Sequence, residues 1–146
     1  MAAIDSYTTG DESDINGRDE NTWAQTFTAS QDYDLASVKL KLGESGDISA
    51  YSLTVTIRAT AGGEPTGNAL ATGVIAGIDV HNGGTDWYEA VMDSPVSLTS
   101  GTLYAIHIQA DNGSQTTHFD IRGDISSPTY SGGKLLYSND GGSSWG

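Results

Sequence analysis

The stretch Tyr51-Ser-Leu-Thr-Val-Thr-Ile-Arg-Ala-Thr60 decides the fold class, because apolar and polar side chains alternate through most of it. The apolar side chains fall on one face: Leu53, Val55, Ile57 and Ala59. The polar ones fall on the other: Thr54, Thr56 and Arg58. A period of two residues is typical of a β-strand that buries one face in a core and leaves the other in water.

The same alternation recurs along the chain, and turn-forming sequences separate the runs. The further predicted strands are residues 23–29, 38–42, 70–80, 86–93, 103–110, 118–122 and 134–138. The predicted breaks are a loop at 61–68 and tight turns at 82–84 and 111–113, which are rich in Gly, Asn and Asp. No window has a convincing helical period. We therefore predict an all-β fold, a single antiparallel β-sandwich of about eight strands.

Composition excludes several classes of function. The chain has 146 residues, with 6 Lys and Arg against 19 Asp and Glu, a net charge of −13 and no cysteine. This length suits one domain. Nucleic-acid binding is not expected, because a phosphate backbone is held by basic side chains. No stretch approaches the ~20 apolar residues of a membrane-spanning helix, and without cysteine neither a disulfide nor a thiolate zinc site can form.

Acidic residues are concentrated at the N-terminus, so we divide the chain into an acidic N-terminal arm (1–22) and a β-sandwich domain (23–146). Asp11, Glu12 and Asp14 could hold a structural calcium ion, since hard cations bind carboxylate oxygens. A solvated arm, or one docked on a basic partner, is the alternative interpretation. The first five residues lack the basic start and apolar core of a signal peptide, so we expect synthesis in a host cytoplasm without export by that route.

An ordered series of short segments carries a family resemblance. It includes Trp23-Ala-Gln-Thr-Phe-Thr-Ala29, Gly63-Glu-Pro-Thr-Gly67, Gly101-Thr-Leu-Tyr-Ala-Ile106 and Ser127-Pro-Thr-Tyr-Ser-Gly-Gly133. Over residues 23–145 the chain resembles a jelly-roll-like β-sandwich module of bacteriophage structural proteins and of large prokaryotic surface proteins. The resemblance implies a jelly-roll-like sandwich at a virion or cell surface, without catalysis. Such modules occur in many contexts, so the fold alone does not define the function.

The C-terminal segment contains one Asp-box pattern, Ser-x-Asp-x-Gly-x-x-Trp, formed by Ser138, Asp140, Gly142 and Trp145. This resembles the hairpin motif repeated in sialidase propellers, but a propeller requires several copies in a much longer chain. We interpret the motif as structural. Asp140 can accept backbone N–H bonds across the turn, and Trp145 can fold back as an apolar plug.

No constellation in the sequence predicts an enzyme. The histidines are His81, His107 and His118, and we expect His107 and His118 to lie on adjacent strands, in surface or packing roles. There is no Gly-x-Ser-x-Gly nucleophile elbow and no zincin spacing. We predict a non-enzymatic protein without a cofactor, unless calcium is bound at the arm.

Trp87 and Tyr88 form an adjacent aromatic pair on a predicted strand. Neighbouring strand residues point to opposite faces, so one of the two should face outward. An exposed aromatic ring can stack on a sugar or contact a protein partner. The alternative is that both rings fill the edge of the core.

These observations, with the resemblance, predict a structural protein on the outside of a phage virion. Its most specific form is a capsid decoration protein that binds and braces the major capsid protein, and a tail or fibre component is the nearest variant. Association into a homo-oligomer is expected, because symmetric assembly is common in such proteins. The alternative is a carbohydrate-binding or adhesive module of a fibre or cell surface.

Overall fold

The computed structural model describes residues 13–17, 21–80, 86–114, 116–123 and 133–146. These residues form nine β-strands and one short 3-10 turn, η1 (Gly77–Asp79). The strands are β1 (Ser13–Gly17), β2 (Thr22–Thr28), β3 (Tyr33–Ser45), β4 (Ser52–Ala61), β5 (Glu64–Ala76), β6 (Asp86–Leu98), β7 (Leu103–Ala110), β8 (His118–Gly123) and β9 (Leu135–Ser138). The predicted all-β class is confirmed.

The strands form two antiparallel sheets. The first sheet has the order β1-β8-β3-β6, and the second has the order β5-β4-β7-β2-β9. Strands β1 and β8, β2 and β7, β3 and β6, and β4 and β5 pair with one another. This nested pairing, divided between two sheets, is the strand order of a jelly roll. Strand β9 pairs with β2 at the edge of the second sheet.

The core lies between the sheets and follows the sequence pattern. Leu53, Val55 and Ile57 on β4 of the second sheet are fully buried in the core. Phe119 on β8 of the first sheet is fully buried in the same core. Burying such side chains stabilises the fold by roughly 1.5–3 kcal/mol each. Ala59 is exposed, because it lies near the end of β4, one residue after an irregularity in its pairing with β5.

The predicted loop at 61–68 is wrong in extent. Strand β4 ends at Ala61 and β5 begins at Glu64, so the connection is only Gly62-Gly63. Both glycines have positive φ, 61° and 81°, as a two-residue hairpin turn matched to the strand twist requires. Residues 64–68 continue as strand, although Glu64, Pro65 and Gly67 resemble loop residues in the sequence.

Strands β3 and β6 extend well beyond the predicted residues 38–42 and 86–93, and their irregular pairing explains why. Strand β3 shifts register against β6 between Leu35 and Ser37. Four residues of β6, 92–95, stand opposite Ala36 alone at this shift. A bulge interrupts the strict alternation that identifies a strand in the sequence.

Strand β1 lies within the predicted acidic arm, where Ile15 is the one apolar residue of the segment.

Candidate functional site

The C-terminal hairpin is closed by bonds to one carboxylate. Ser138 donates from Oγ to Asp140 Oδ1 at 2.6 Å and accepts the N–H of Gly142 at 2.9 Å. The same Oδ1 accepts the N–H groups of Ser143 and Ser144 at 3.0 and 2.9 Å. Hydrogen bonds from the Ser138 and Ser144 hydroxyls, with those from the backbone, lower the pKa of Asp140 to about 2. The carboxylate therefore organises the turn in its ionised form.

The hairpin folds back over the outer face of the second sheet. Two backbone bonds between Tyr137 and Gly146 hold its end, at 3.2 and 2.9 Å. The ring of Trp145 meets the ring of His107 edge-on, with centroids 5.6 Å apart. This contact buries His107, which lies on the face of β7 opposite Ile106 and Ile108. The four Asp-box residues thus act together as a cover over part of one sheet.

Burial determines the charge of His107. The loss of solvent around the ring, and next the positive charge of Arg58, lower the pKa of His107 to about 4. The ring is therefore neutral at pH 7. Arg58 itself donates to the carbonyl of Gly67 and to the hydroxyl of Thr56, both at 3.0 Å. Arg58 thereby ties β4 to the part of β5 at Gly67.

The second described histidine lies in the other sheet, so the expectation that His107 and His118 are on adjacent strands is wrong. Strand β7 belongs to the second sheet and β8 to the first. The chain crosses the sandwich between them, as jelly-roll connections do. His118 contacts Asp120 Oδ1 through Nε2 at 3.0 Å and the carbonyl of Ser114 through Nδ1 at 3.0 Å. Ser45 donates to the other Asp120 oxygen at 2.8 Å.

The contacts of His118 have a structural consequence. Both ring nitrogens contact acceptor oxygens, one on the Asp120 carboxylate and one on the backbone carbonyl of Ser114. The ring ties the turn before β8 to that strand, and Ser45 extends the connection to β3. The signal for the pair was in the sequence, because His118 and Asp120 are two residues apart and therefore share one face of a strand.

The aromatic pair is divided between solvent and core. Trp87 is 44% exposed on the outer face of the first sheet, whereas Tyr88 is half-buried and packs against the core. In the register of β3 and β6, Lys41 lies opposite Trp87 and Lys39 opposite Glu89. We call the exposed faces of these four residues the Trp87 surface. It combines one large aromatic ring with charges of both signs.

Several carboxylates of the described residues accept backbone N–H groups from other parts of the chain. Asp32 accepts the N–H of Ser100 at 2.7 Å, Asp111 that of Ser52 at 2.9 Å, and Asp93 that of Thr72 at 3.2 Å. Within the described ranges, no group of three or more His, Asp or Glu side chains is placed to hold a metal ion. The predicted calcium residues Asp11 and Glu12 lie outside the described residues, as does the side chain of Asp14, and that site stays a prediction.

Comparison with family models, with curated proteins and with solved structures gives no match. None of the described helical segments is long and apolar enough to cross a membrane. His81 lies outside the described residues, as do the predicted turn at 82–84 and most of the segment 127–133.

Proposed function

We propose that the chain is a non-enzymatic structural protein on the outside of a phage virion, and in its most specific form a capsid decoration protein. It would bind and brace the major capsid protein, with a tail or fibre component as the nearest variant. The observation that carries the proposal is the exposed indole of Trp87, the one aromatic ring among the exposed large hydrophobic side chains of the described residues. The resemblance to phage structural modules over residues 23–145 adds the virion setting.

The use of the described histidines supports binding rather than catalysis. His107 is neutral and covered by Trp145. His118 is held through both nitrogens. A general base needs a free ring nitrogen within reach of the reacting proton, and the burial of His107 and the two contacts of His118 do not favour that role.

The Trp87 surface has the composition of a protein-binding patch. Tryptophan is enriched among the few interface residues that carry most of the binding energy. Lys39, Lys41 and Glu89 surround it with a polar rim that can choose a partner by charge. The net charge of −13 would keep free copies soluble, and the acidic N-terminal arm could dock on a basic patch of a capsid.

Bracing would follow from mass action. A protein that binds the assembled shell, and not its separated subunits, stabilises the shell by an amount that grows with its concentration above the dissociation constant. Many copies at repeated capsomer junctions would add up to a large effect without any enzymatic step. The rigid sandwich would present the Trp87 surface with little ordering cost on binding.

Carbohydrate binding is the second candidate, and the same residue favours it. A flat indole stacks on the apolar face of a sugar ring, and polar groups beside it can bind the hydroxyls. Lys41 lies opposite Trp87 in the strand register, and Glu89 lies two residues further along β6 on the same face. In this case the chain would act as an adhesive module of a fibre or a cell surface.

Co-sedimentation with purified virus particles stripped of this chain separates the two candidates. We expect the wild-type chain to bind the particles and Trp87→Ala to bind at least about tenfold more weakly, in line with loss of an interface tryptophan. Trp87→Tyr should retain part of the affinity, and Asn139→Ala, at an exposed hairpin position, should match wild type. Competition by free sugars would favour the carbohydrate candidate. Absence of particle binding, or full binding by Trp87→Ala, would overturn the proposal.

A further inference from the structure

The predicted tight turn at 111–113 contains an Asn-Gly pair in which the side chain of the first residue contacts the backbone of the second. Asn112 is exposed, in the connection between β7 and β8. The N–H of Gly113 donates to Oδ1 of Asn112 at 2.7 Å. Because a C=O bond is about 1.23 Å long, the Gly113 nitrogen lies at most about 3.9 Å from Cγ of the Asn112 carboxamide. This separation is close to the distance of about 3–3.5 Å at which two atoms are placed to react.

We infer that Asn112 is a site of spontaneous deamidation. A base removes the proton of the Gly113 N–H, and the nitrogen then attacks Cγ of Asn112, with no Cβ on the glycine to crowd the approach. The side-chain nitrogen Nδ2 takes up a proton and leaves as ammonia, so that a five-membered succinimide ring remains. Water opens the ring at Cγ to give aspartate, or at the main-chain carbonyl carbon to give isoaspartate. The reaction consumes one water molecule and releases one ammonia, and it requires neither an oxidant nor an enzyme.

A second Asn-Gly pair in the described residues provides an internal comparison. Asn16 and Gly17 lie in β1, and both pair with residues of β8. Closure of the succinimide ring requires the backbone between the two residues to rotate, and pairing with a neighbouring strand resists that rotation. The N–H of Gly113 is instead bonded to the side chain that it would attack. The fold therefore favours reaction at Asn112 over Asn16, although the dipeptide is the same.

The position of Asn112 gives the reaction a structural consequence. Before it, the N–H of Asp111 donates to the carbonyl of Ser52 at 3.0 Å, and the N–H of Ser52 donates to Asp111 Oδ1 at 2.9 Å. After it, the carbonyl of Ser114 contacts Nδ1 of His118 at 3.0 Å. Isoaspartate adds one carbon atom to the main chain between these two anchors, and so displaces Ser114 from His118. The product loosens the connection by which the chain crosses from one sheet to the other, and this inference does not rest on the proposed function.

Peptide mapping by mass spectrometry, on folded chain aged in mildly alkaline buffer, tests the inference. A protease that cleaves before aspartate releases residues 14–18 and 111–119, so each of the two Asn-Gly pairs lies on its own short peptide. We expect Asn112 to react at least about tenfold faster than Asn16 in the folded chain, and the two to react within about twofold of each other in urea, where the fold protects neither. Asn112→Gln should remove the product from 111–119. Equal rates in the folded chain, or reaction at Asn112 in urea alone, would overturn the inference.

Thermal unfolding tests the structural consequence separately. Asn112→Asp is the matched control, because it carries the negative charge of the product without the additional main-chain carbon. We expect chain enriched in isoaspartate at position 112 to melt about 2–4 °C below wild type, and Asn112→Asp to melt with wild type. An isoaspartyl form with the melting temperature of wild type would show that the contact between Ser114 and His118 survives the insertion, and would overturn the consequence assigned to this turn.

Discussion

Mild acid should destabilise the chain through His107. The folded protein holds the pKa of His107 at about 4, because burial and Arg58 oppose the charged ring. The unfolded chain has an ordinary value near 6.5. Between these values the unfolded state binds a proton that the folded state rejects, so stability is complete above pH 6.5 and falls as the pH is lowered towards 4.

The magnitude follows from the two pKa values. At 1.36 kcal/mol for each pKa unit, their difference corresponds to a contribution of about 3.4 kcal/mol to the free energy of unfolding. About 2 kcal/mol of this stability would already be lost at pH 5. His107 lies under a single surface hairpin, so solvent screening reduces the loss at pH 5 to about 1–2 kcal/mol. For a domain of this length that lowers the melting temperature by about 3–6 °C.

Urea unfolding at pH 7.5 and pH 5.0 measures the effect. Aspartate and glutamate of the unfolded chain titrate mainly below pH 5, so histidines dominate this window. In His107→Gln, most of the difference in unfolding free energy between the two pH values should disappear. In His118→Gln, the part of that difference caused by His107 should remain. Equal pH dependence in wild type and His107→Gln would refute the reasoning. Tryptophan fluorescence, to which Trp145 contributes together with Trp23 and Trp87, should shift to longer wavelength if protonation also loosens the hairpin.

Three substitutions test other parts of the structure by chemical denaturation. Ser138→Ala removes a buried hydroxyl that bonds Asp140 and a backbone N–H, and should cost about 1–2 kcal/mol; a neutral result would show that the hairpin does not need it. Gly77→Ala places a methyl group against the carbonyl of Ile48 and should cost about 1–3 kcal/mol or prevent folding. Phe119→Ala should cost about 3–5 kcal/mol, because the ring is fully buried in the core; a loss below 1 kcal/mol would contradict that packing.

The sequence predicted the regular part of the fold well, because alternation reports directly on burial. The alternating apolar residues of β4, Leu53, Val55 and Ile57, line the core, as does Ile108 on β7. The prediction from sequence failed where strand pairing is irregular. Bulges at residues 92–95 of β6 and 67–70 of β5 break the period of alternation, and the turn at Gly62-Gly63 is shorter than its loop-like composition suggests.

The candidate sites divide in the same way. That one of Trp87 and Tyr88 would face outward follows from strand geometry alone. The cover that Trp145 forms over His107 depends on how the C-terminal segment folds back across the second sheet, and local sequence does not encode that contact.

Immunogold electron microscopy of virus particles and cells from the source culture, with an antibody to this chain, tests the virion assignment most directly. We expect dense, regular label over capsids. Label confined to tail tips would replace decoration by a tail or fibre role and favour sugar binding at Trp87. Label on cells, with unlabelled particles in the same field, would contradict the proposed virion function.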